Sequence, residues 1–218
     1  MPAGTRHGPL CRVALVGVTG RMGRALLRAA PGFPQLIVTG AIASPASLAL
    51  GRDTGELTGS GRANLTVTSD LAAALAQADV VIDFSSADAI GATLAACRAA
   101  GRPLLLGTTG FAASLELQLE ATAREIALLV AANTSVGAAL LAALTRIAAK
   151  SLPESFDIDI LDLHHRLKQD APSGTALALG RAAAEARGLT PPTAAEALSR
   201  PEGPRPEGTI GFDRAGGR

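Results

Sequence analysis

The sequence has no tryptophan and no tyrosine, and only five of its 218 residues are phenylalanine. Aromatic platforms on which single-stranded bases stack are therefore nearly absent. Lysine and arginine together number 20 against 19 acidic residues, so the net charge is +1 and no basic surface for nucleic acid is expected. These shortages argue against nucleic acid as a partner.

Cysteine is also scarce, since only Cys11 and Cys97 are present and both lie in apolar surroundings. Two distant cysteines make neither a disulfide framework nor a zinc site, so we expect free thiols in a reducing compartment. The uncharged stretch 126–145 is long enough to cross a bilayer, but the polar segment 133–135 interrupts it. We therefore expect a soluble cytoplasmic protein without a membrane segment.

Apolar runs alternate with Ala/Leu-rich, helix-length segments through the first part of the chain. Strands are predicted at residues 12–17, 35–43, 65–68, 80–84, 103–106 and 126–131, and helices at 21–30, 71–77, 87–100 and 113–125. Continuous apolar strands separated by amphipathic helices are typical of a parallel sheet covered on both faces. The predicted fold class is therefore α/β.

Three glycines lie between the first predicted strand and the first predicted helix, in "VALVGVTGRMGRAL". Gly17 permits a tight turn, Gly20 lets the backbone approach a pyrophosphate, and Gly23 lets the helix pack closely on the strand. The helix N-terminus then offers unpaired N–H groups to a phosphate. This pattern favours a Rossmann-like domain that binds a dinucleotide over a purely structural turn.

The end of the second predicted strand normally carries the residue that reads the cofactor ribose. In "GAIASPASLALG" this region holds Ser44 and Pro45, and no acid is present. Ser44 is therefore a candidate cofactor residue. Arg21 or Arg24 would suit a 2′-phosphate, although arginines in a first helical turn are more often solvated. NADH and NADPH both remain open as the cofactor.

The pattern of the sequence changes after residue 132. A helix is predicted at 136–150, then a strand in "SFDIDILDLHH", whose alternation indicates one wet face, and then a helix at 176–188. We place a domain boundary near Ala132. Residues 1–132 form the predicted dinucleotide-binding domain, and residues 133–218 form a smaller α+β domain with a mixed sheet, for substrate binding and oligomerisation.

Two of the three histidines are adjacent in "HHRLKQDAPSGTA". Because successive side chains of a strand point to opposite faces, His164 and His165 cannot easily share one metal ion. No cluster of Cys, His and Asp accompanies them, so no metal site is predicted. Either one imidazole faces a cleft and its neighbour lies elsewhere, or both lie in a loop.

The segment that follows the histidines predicts an anion pocket. Asp170 or Ser173 is placed to cap a helix, while Gly174 and Thr175 expose backbone N–H groups at its start. A helix N-terminus, the lysine at position 168 and two imidazoles together favour a small carboxylate or dicarboxylate as ligand. The alternative is that the histidines end a strand and the lysine is solvated.

The chain resembles the dihydrodipicolinate reductase family, the NAD(P)H-dependent enzymes of the diaminopimelate route to lysine. The resemblance covers nearly the whole chain and depends on "VGVTGRMGRAL", "GRDTGELTG", "DVVIDFSSADA", "GTTGF", "AANTSVG", "HHRLKQDAPSGTA" and "GTIGF", which stand in family order. It implies reduction of 4-hydroxy-tetrahydrodipicolinate, a small dicarboxylate, to tetrahydrodipicolinate. It also implies a homotetramer assembled through sheets of the second domain.

The resemblance assigns roles to individual positions. Cofactor contacts would come from a glycine loop, a "GTT" loop and an inter-domain hinge, which fall on Gly17, Val18, Thr19, Gly20, Arg21, Met22, Gly107, Thr108, Thr109, Ala131, Ala132, Asn133 and Thr134. His164 would be a proton donor or acceptor and Lys168 a proton donor, and which of them supplies the proton is left open. Substrate carboxylates would be met by His165, Gly174 and Thr175.

The chain departs from the family pattern in three places. Ser44 and Pro45 stand where the family often has an acid and a basic neighbour, and Thr134 replaces an aromatic residue of the hinge. The chain also stops at "GTIGFDRAGGR", where family members continue with further strands, so the second domain is expected to be C-terminally truncated. Two alternatives follow: a truncated, non-catalytic nucleotide-binding relative, or another Rossmann dehydrogenase that acts on a small carboxylic acid.

Overall fold

A computed structural model of the chain describes residues 9–109, 115–131, 133–163, 172–191, 193, 197 and 210–215. The chain divides into two compact units, Met1–Ala131 and Ala132–Arg218.

The first unit alternates strands and helices. Its strands are β1 (Cys11–Val16), β2 (Leu36–Ile42), β3 (Val80–Asp83), β4 (Leu104–Leu106) and β5 (Leu128–Val130). Its helices are α1 (Arg21–Ala29), α2 (Thr54–Thr58), α3 (Leu71–Leu75), α4 (Ile90–Ala100) and α5 (Glu116–Ala123). The order of these elements agrees with the alternation predicted from the sequence.

The five strands form one parallel sheet in the order β2-β1-β3-β4-β5. Alternate residues of β1 enter two different hydrophobic clusters: Ala14 and Val16 pack in one, and Val13 and Leu15 in the other. Both faces of the sheet are therefore covered, as the continuous apolar strands predicted, and the α/β fold class is confirmed. The strand order reverses between β1 and β3, which is the position where open parallel sheets bind ligands.

An ion pair ties the start of β1 to the residue before β3. Asp79 Oδ1 accepts from Arg12 Nη2 at 2.7 Å, and its Oδ2 accepts from the Arg12 backbone N–H at 2.8 Å. The hydrogen bonds from the guanidinium lower the pKa of Asp79 to about 2. Since the pair is solvent-exposed, its contribution to the free energy of unfolding is small.

Two short segments of this unit differ from the sequence prediction. The strand predicted at 65–68 is reduced to isolated bridges, one between Thr68 and Ile42 and one between Thr66 and Asp53. Helix α2 lies between residues 43 and 65, where the sequence predicted neither a strand nor a helix. Its first turn is capped by Asp53, whose side chain accepts from the Gly55 N–H at 2.8 Å. A helix of one turn has too few residues to show a period.

The second unit contains a βαβ arrangement. Its elements are α6 (Val136–Ser151), β6 (Ile158–Leu163), α7 (Gly174–Ala186) and β7 (Ile210–Ala215). Strands β6 and β7 pair in parallel, with Ile160 opposite Phe212. Helix α7 packs on them closely enough that a Cβ on Gly180 would collide with the Phe212 ring.

The prediction of a mixed sheet in this unit is wrong for the described residues, because the pair found there is parallel. The alternation along β6 indicated correctly that its two faces differ, but one-sided burial does not determine strand direction. The crossover helix α7 provides the long connection that a parallel pair requires.

Two further observations concern the cysteines and the membrane. Cys97 is a free, fully buried thiol, and burial raises its pKa to about 12, whereas Cys11 is free and only half-buried. Within the described part of the chain, no helix combines the length and the apolar character needed to span a membrane.

Candidate functional site

The glycine turn between β1 and α1 is built so that it accepts no side chain at two positions. Gly17 has a φ of +86°, and a Cβ there would lie 2.5 Å from the carbonyl oxygen of Phe84. A Cβ on Gly23 would collide with the Gly17 carbonyl oxygen and lie 2.6 Å from Val18 Cα. The turn is therefore packed between β3 and α1, with its backbone in direct contact with both.

Helix α1 begins differently from most helices of the chain. Side chains cap α2, α3, α6 and α7, through Asp53, Asp70, Ser135 and Ser173 respectively. The N-cap of α1 is Gly20, which has no side chain to offer, and no acid lies in the first turn. The first N–H groups of α1 are thus left for an external acceptor, which is the arrangement that binds phosphate.

The predicted cofactor residues of the first unit lie at the carboxyl edge of the sheet. Residues 17–22 follow β1, Ser44 follows β2, the segment 107–109 follows β4, and Ala131 follows β5. Parallel strands end at the same edge, so the structure brings these segments to one side of the sheet. Val18 is at this edge too, but its side chain is fully buried and its N–H already donates to the Ile42 carbonyl at 3.1 Å.

Asp83 is a residue of this edge that sequence reasoning missed. It ends β3 and is fully buried. Its Oδ1 accepts from the Ser85 N–H at 2.7 Å, from the Ser85 hydroxyl at 2.6 Å and from the Thr108 hydroxyl at 3.1 Å. One carboxyl group therefore joins the segment after β3 to the segment after β4. The sequence signal was the acid within the apolar run "VVIDF". Because a buried charge needs a partner, an acid at the end of a buried strand predicts hydrogen bonds to neighbouring segments.

Phe84 is a second missed residue, and it reaches both neighbouring segments. Its ring occupies the space where Gly107 would carry a side chain, and its carbonyl oxygen abuts Gly17. The glycine turn and the "GTT" segment are therefore held against the same residue. The distance between the glycine turn and the "GTT" segment is set by the packing of both against Phe84, directly after β3.

Asp83→Ala should lower the free energy of unfolding by about 3 kcal/mol, because it removes three hydrogen bonds and leaves the buried Thr108 hydroxyl and the half-buried Ser85 donors without their acceptor. Asp83→Asn retains one oxygen in place and should cost about 1 kcal/mol. Chemical denaturation measures both, and Asp88→Ala, at an exposed position of the same segment, is the matched control. Equal stability of Asp83→Ala and Asp88→Ala would contradict the assignment of a structural role to this carboxyl group.

In the second unit, Asp162 fixes the start of α7. Its Oδ2 accepts from the Ser173 N–H at 2.7 Å and its Oδ1 accepts from the Ser173 hydroxyl at 3.0 Å, and both residues are buried. The Ser173 oxygen in turn caps the helix by accepting from the Ala176 N–H at 3.1 Å. These bonds use none of the N–H groups of Gly174 and Thr175, the first two helical residues.

Three predicted site residues, His164, His165 and Lys168, lie outside the described residues, as does Ala132 of the hinge. Thr134 is described and exposed, and so is Asn133, whose side chain bonds Thr175 in the second unit. Among the residues that the structure describes, no group of three or more His, Cys, Asp or Glu is placed to hold a metal ion.

Two family models match the chain. Dihydrodipicolinate reductase, N-terminus, matches residues 11–134, and dihydrodipicolinate reductase, C-terminus, matches residues 137–216. Their division falls close to the boundary between the two units of the structure.

Two curated relatives are both named 4-hydroxy-tetrahydrodipicolinate reductase. The chain is 45% identical over 208 residues to the 4-hydroxy-tetrahydrodipicolinate reductase of Alkalilimnicola ehrlichii, which covers 94% of this chain and 78% of the relative. It is 43% identical over 210 residues to the reductase of the same name from Beijerinckia indica, covering 92% of this chain and 74% of that one.

Solved structures share the fold. The dipicolinate-bound dihydrodipicolinate reductase from Paenisporosarcina sp. TG-14 superposes with a TM-score of 0.68 at 22% identity, over 95% of this chain and 79% of the other. The aspartate semialdehyde dehydrogenase with NADP from Candida albicans gives a TM-score of 0.52 at 13% identity, over 95% of this chain and 67% of the other.

Proposed function

The chain belongs to the dihydrodipicolinate reductase family, and on that basis we propose how its two units share the reduction of 4-hydroxy-tetrahydrodipicolinate. The activity is that of an oxidoreductase of lysine and diaminopimelate biosynthesis, in a family that uses NAD(P)H. The similarity extends over nearly the full chain, which favours this activity over a binding module without catalysis. The same similarity favours this activity over that of a dehydrogenase acting on another small carboxylic acid.

The first unit is proposed to hold NADH or NADPH. The uncapped start of α1 beside a glycine at positive φ is the observation that carries this assignment, because a pyrophosphate fits backbone N–H groups that no side chain occupies. The remaining contacts would come from Ser44, Gly107, Thr108, Thr109 and Ala131. When bound, the reduced nicotinamide supplies a hydride.

Both forms of the cofactor are expected to bind. Between the end of β2 and residue 52 there is no acid to repel a 2′-phosphate. The next acid, Asp53, is already hydrogen-bonded to the backbone of its own segment: its Oδ1 accepts from the N–H groups of Gly55 and Ala63 at 2.8 Å each. Ser44 is exposed at the end of β2, where it can donate to either a hydroxyl or a phosphate.

The second unit is proposed to hold the dicarboxylate. Gly174 and Thr175 begin α7 with their N–H groups directed away from the body of the helix, and the Asp162–Ser173 bonds keep that end in place. An anion at a helix N-terminus is stabilised by the helix dipole as well as by the N–H groups. His165 would complete the contacts with the carboxylates.

The proton is proposed to come from His164 or Lys168. The product lacks the 4-hydroxyl group of the substrate, so the balanced reaction adds one hydride and one proton and releases one water molecule. General acid catalysis of such a step contributes a factor of about 10²–10⁴. A cationic donor would also offset the charge of the dicarboxylate.

The working form is proposed to be a homo-oligomer in the cytoplasm, and by family resemblance a homotetramer. Leu161 and Leu163 on β6 are 59% and 64% exposed, on the face of the strand opposite to Asp162. Exposed leucines on one sheet face suit contact with another subunit. The free thiol of Cys97 fits a reducing compartment.

Competition by dicarboxylates tests the substrate assignment. Dipicolinate carries two carboxylates on a planar ring, whereas picolinate carries one, so picolinate is the matched control. We expect dipicolinate to compete with the substrate and to inhibit about tenfold or more strongly than picolinate, because one charge-assisted set of hydrogen bonds is lost. Equal inhibition constants would show that the pocket recognises one carboxylate at most.

A further inference from the structure

The side chain of Asn133 joins the starts of two helices of the second unit. Its Oδ1 accepts from the Ser135 N–H at 2.8 Å, and Ser135 caps α6 by accepting from the Ala138 N–H. Its Nδ2 donates to the Thr175 hydroxyl oxygen at 2.8 Å. Thr175 is the second residue of α7.

The orientation of this amide is determined by its partners. The backbone N–H of Ser135 can only donate, so the atom facing it must be the amide oxygen, and the nitrogen must face Thr175. An amide nitrogen can only donate as well. The Thr175 oxygen is therefore the acceptor of this bond, and its own proton points away from Asn133.

The Thr175 hydroxyl is consequently presented as a donor. It lies beside the N–H groups of Gly174 and Thr175, which the Ser173 cap leaves unused because that cap takes the Ala176 N–H. A hydroxyl that could rotate freely would spend part of its time accepting. Held by Asn133, it adds an aligned donor to the backbone donors of the same helix end.

We propose that Asn133 is a positioning residue for the substrate, which directs the Thr175 hydroxyl proton toward a substrate carboxylate. This inference rests on the proposed function, in which Thr175 binds a carboxylate. It differs from the family resemblance alone, which places Asn133 among the hinge residues that contact the cofactor. If Asn133 positions Thr175, its variants should raise KM for the substrate and leave the Kd for NADH unchanged. If Asn133 contacts the cofactor, they should raise the Kd for NADH and leave KM unchanged.

Kinetics of Asn133→Asp, Asn133→Ala and Thr175→Val in the full chain distinguish them. In Asn133→Asp the new carboxylate accepts the Thr175 proton and turns it away, so KM for 4-hydroxy-tetrahydrodipicolinate should rise about tenfold or more. The Kd for NADH should change by less than about twofold. It is read from the change in NADH emission on binding.

A double variant tests the coupling directly. Asn133→Ala combined with Thr175→Val should raise KM no further than Thr175→Val alone, because both act through one hydroxyl. Thr145→Val is the control for the threonine change and should leave KM unchanged. Among the described residues, that hydroxyl bonds the Leu141 carbonyl within α6. Thermal unfolding of each variant shows whether it is folded. Because Asn133 is exposed, we expect its variants to fold.

Each failure has its own signature. If Thr175→Val raises KM but the Asn133 variants do not, the role of Asn133 is overturned and the proposed substrate site stands. If the Asn133 variants raise the Kd for NADH and leave KM unchanged, Asn133 belongs to the cofactor site. If Thr175→Val leaves both KM and dipicolinate inhibition unchanged, the proposed substrate site itself is wrong, and the inference falls with it.

Discussion

Gly23→Ala should weaken NADH binding about 100-fold and lower the melting temperature. The added methyl group would collide with the Gly17 carbonyl oxygen and lie 2.6 Å from Val18 Cα. Both obstacles are backbone atoms of the turn, so α1 must shift away from β1 to make room. A displacement of about 1 Å at a binding turn is enough for a loss of this size, and overpacking of this kind costs about 1–3 kcal/mol of stability.

Gly91→Ala provides the matched control. Gly91 lies in α4, and among the described residues a Cβ there would meet the Gln118 Oε1 atom at 3.7 Å, which is ordinary contact. Alanine is the better helix former, so this variant should gain about 0.5–1 kcal/mol of stability and bind NADH as the wild type does. If Gly23→Ala also kept the wild-type Kd for NADH, the pyrophosphate would have to bind somewhere other than the glycine turn.

Lys168→Ala and His164→Ala should act on the chemical step. At least one of them should lower kcat by a factor of about 10²–10⁴, since the proton must come from one of these groups. The Kd for NADH should stay within about twofold, because the proposed cofactor contacts lie in other segments. Steady-state rates followed through NADH absorbance, with substrate generated in situ from aspartate semialdehyde and pyruvate, give kcat and KM for each variant.

Lys150→Ala is the control for the loss of a lysine, because Lys150 is exposed in the last turn of α6. It should leave kcat unchanged. If both Lys168→Ala and His164→Ala retained kcat within about threefold, neither side chain would be the donor. The proton would then come from solvent or from a group not yet assigned.

The architecture of the first unit was predictable because its signals are local. Each buried strand is a short apolar run bounded by glycine or by a polar turn, and the glycine pattern after β1 fixes how α1 begins. Helix α2 was missed because one turn of helix carries no period, and its Asp53 cap was hidden in a stretch rich in glycine and serine. The strand direction in the second unit was also out of reach, since β7 is distant in sequence from β6.

The site was predictable only in part, for a related reason. The glycine turn and the start of α7 are contiguous in sequence, so their residues could be assigned directly. Asp83 bonds Thr108, which lies 25 residues away, and Asn133 bonds Thr175, which lies 42 residues away. No local pattern reports such a partner, so both bonds had to be found in three dimensions.

Deuterium transfer is the most direct test of hydride delivery from the reduced cofactor to the dicarboxylate substrate. With NADH carrying deuterium at both C4 positions, the folded chain should oxidise one cofactor per substrate and place one deuterium in each product molecule, as seen by mass spectrometry. A folded chain that binds both ligands yet yields product without deuterium, or oxidises no cofactor at all, would contradict that chemistry.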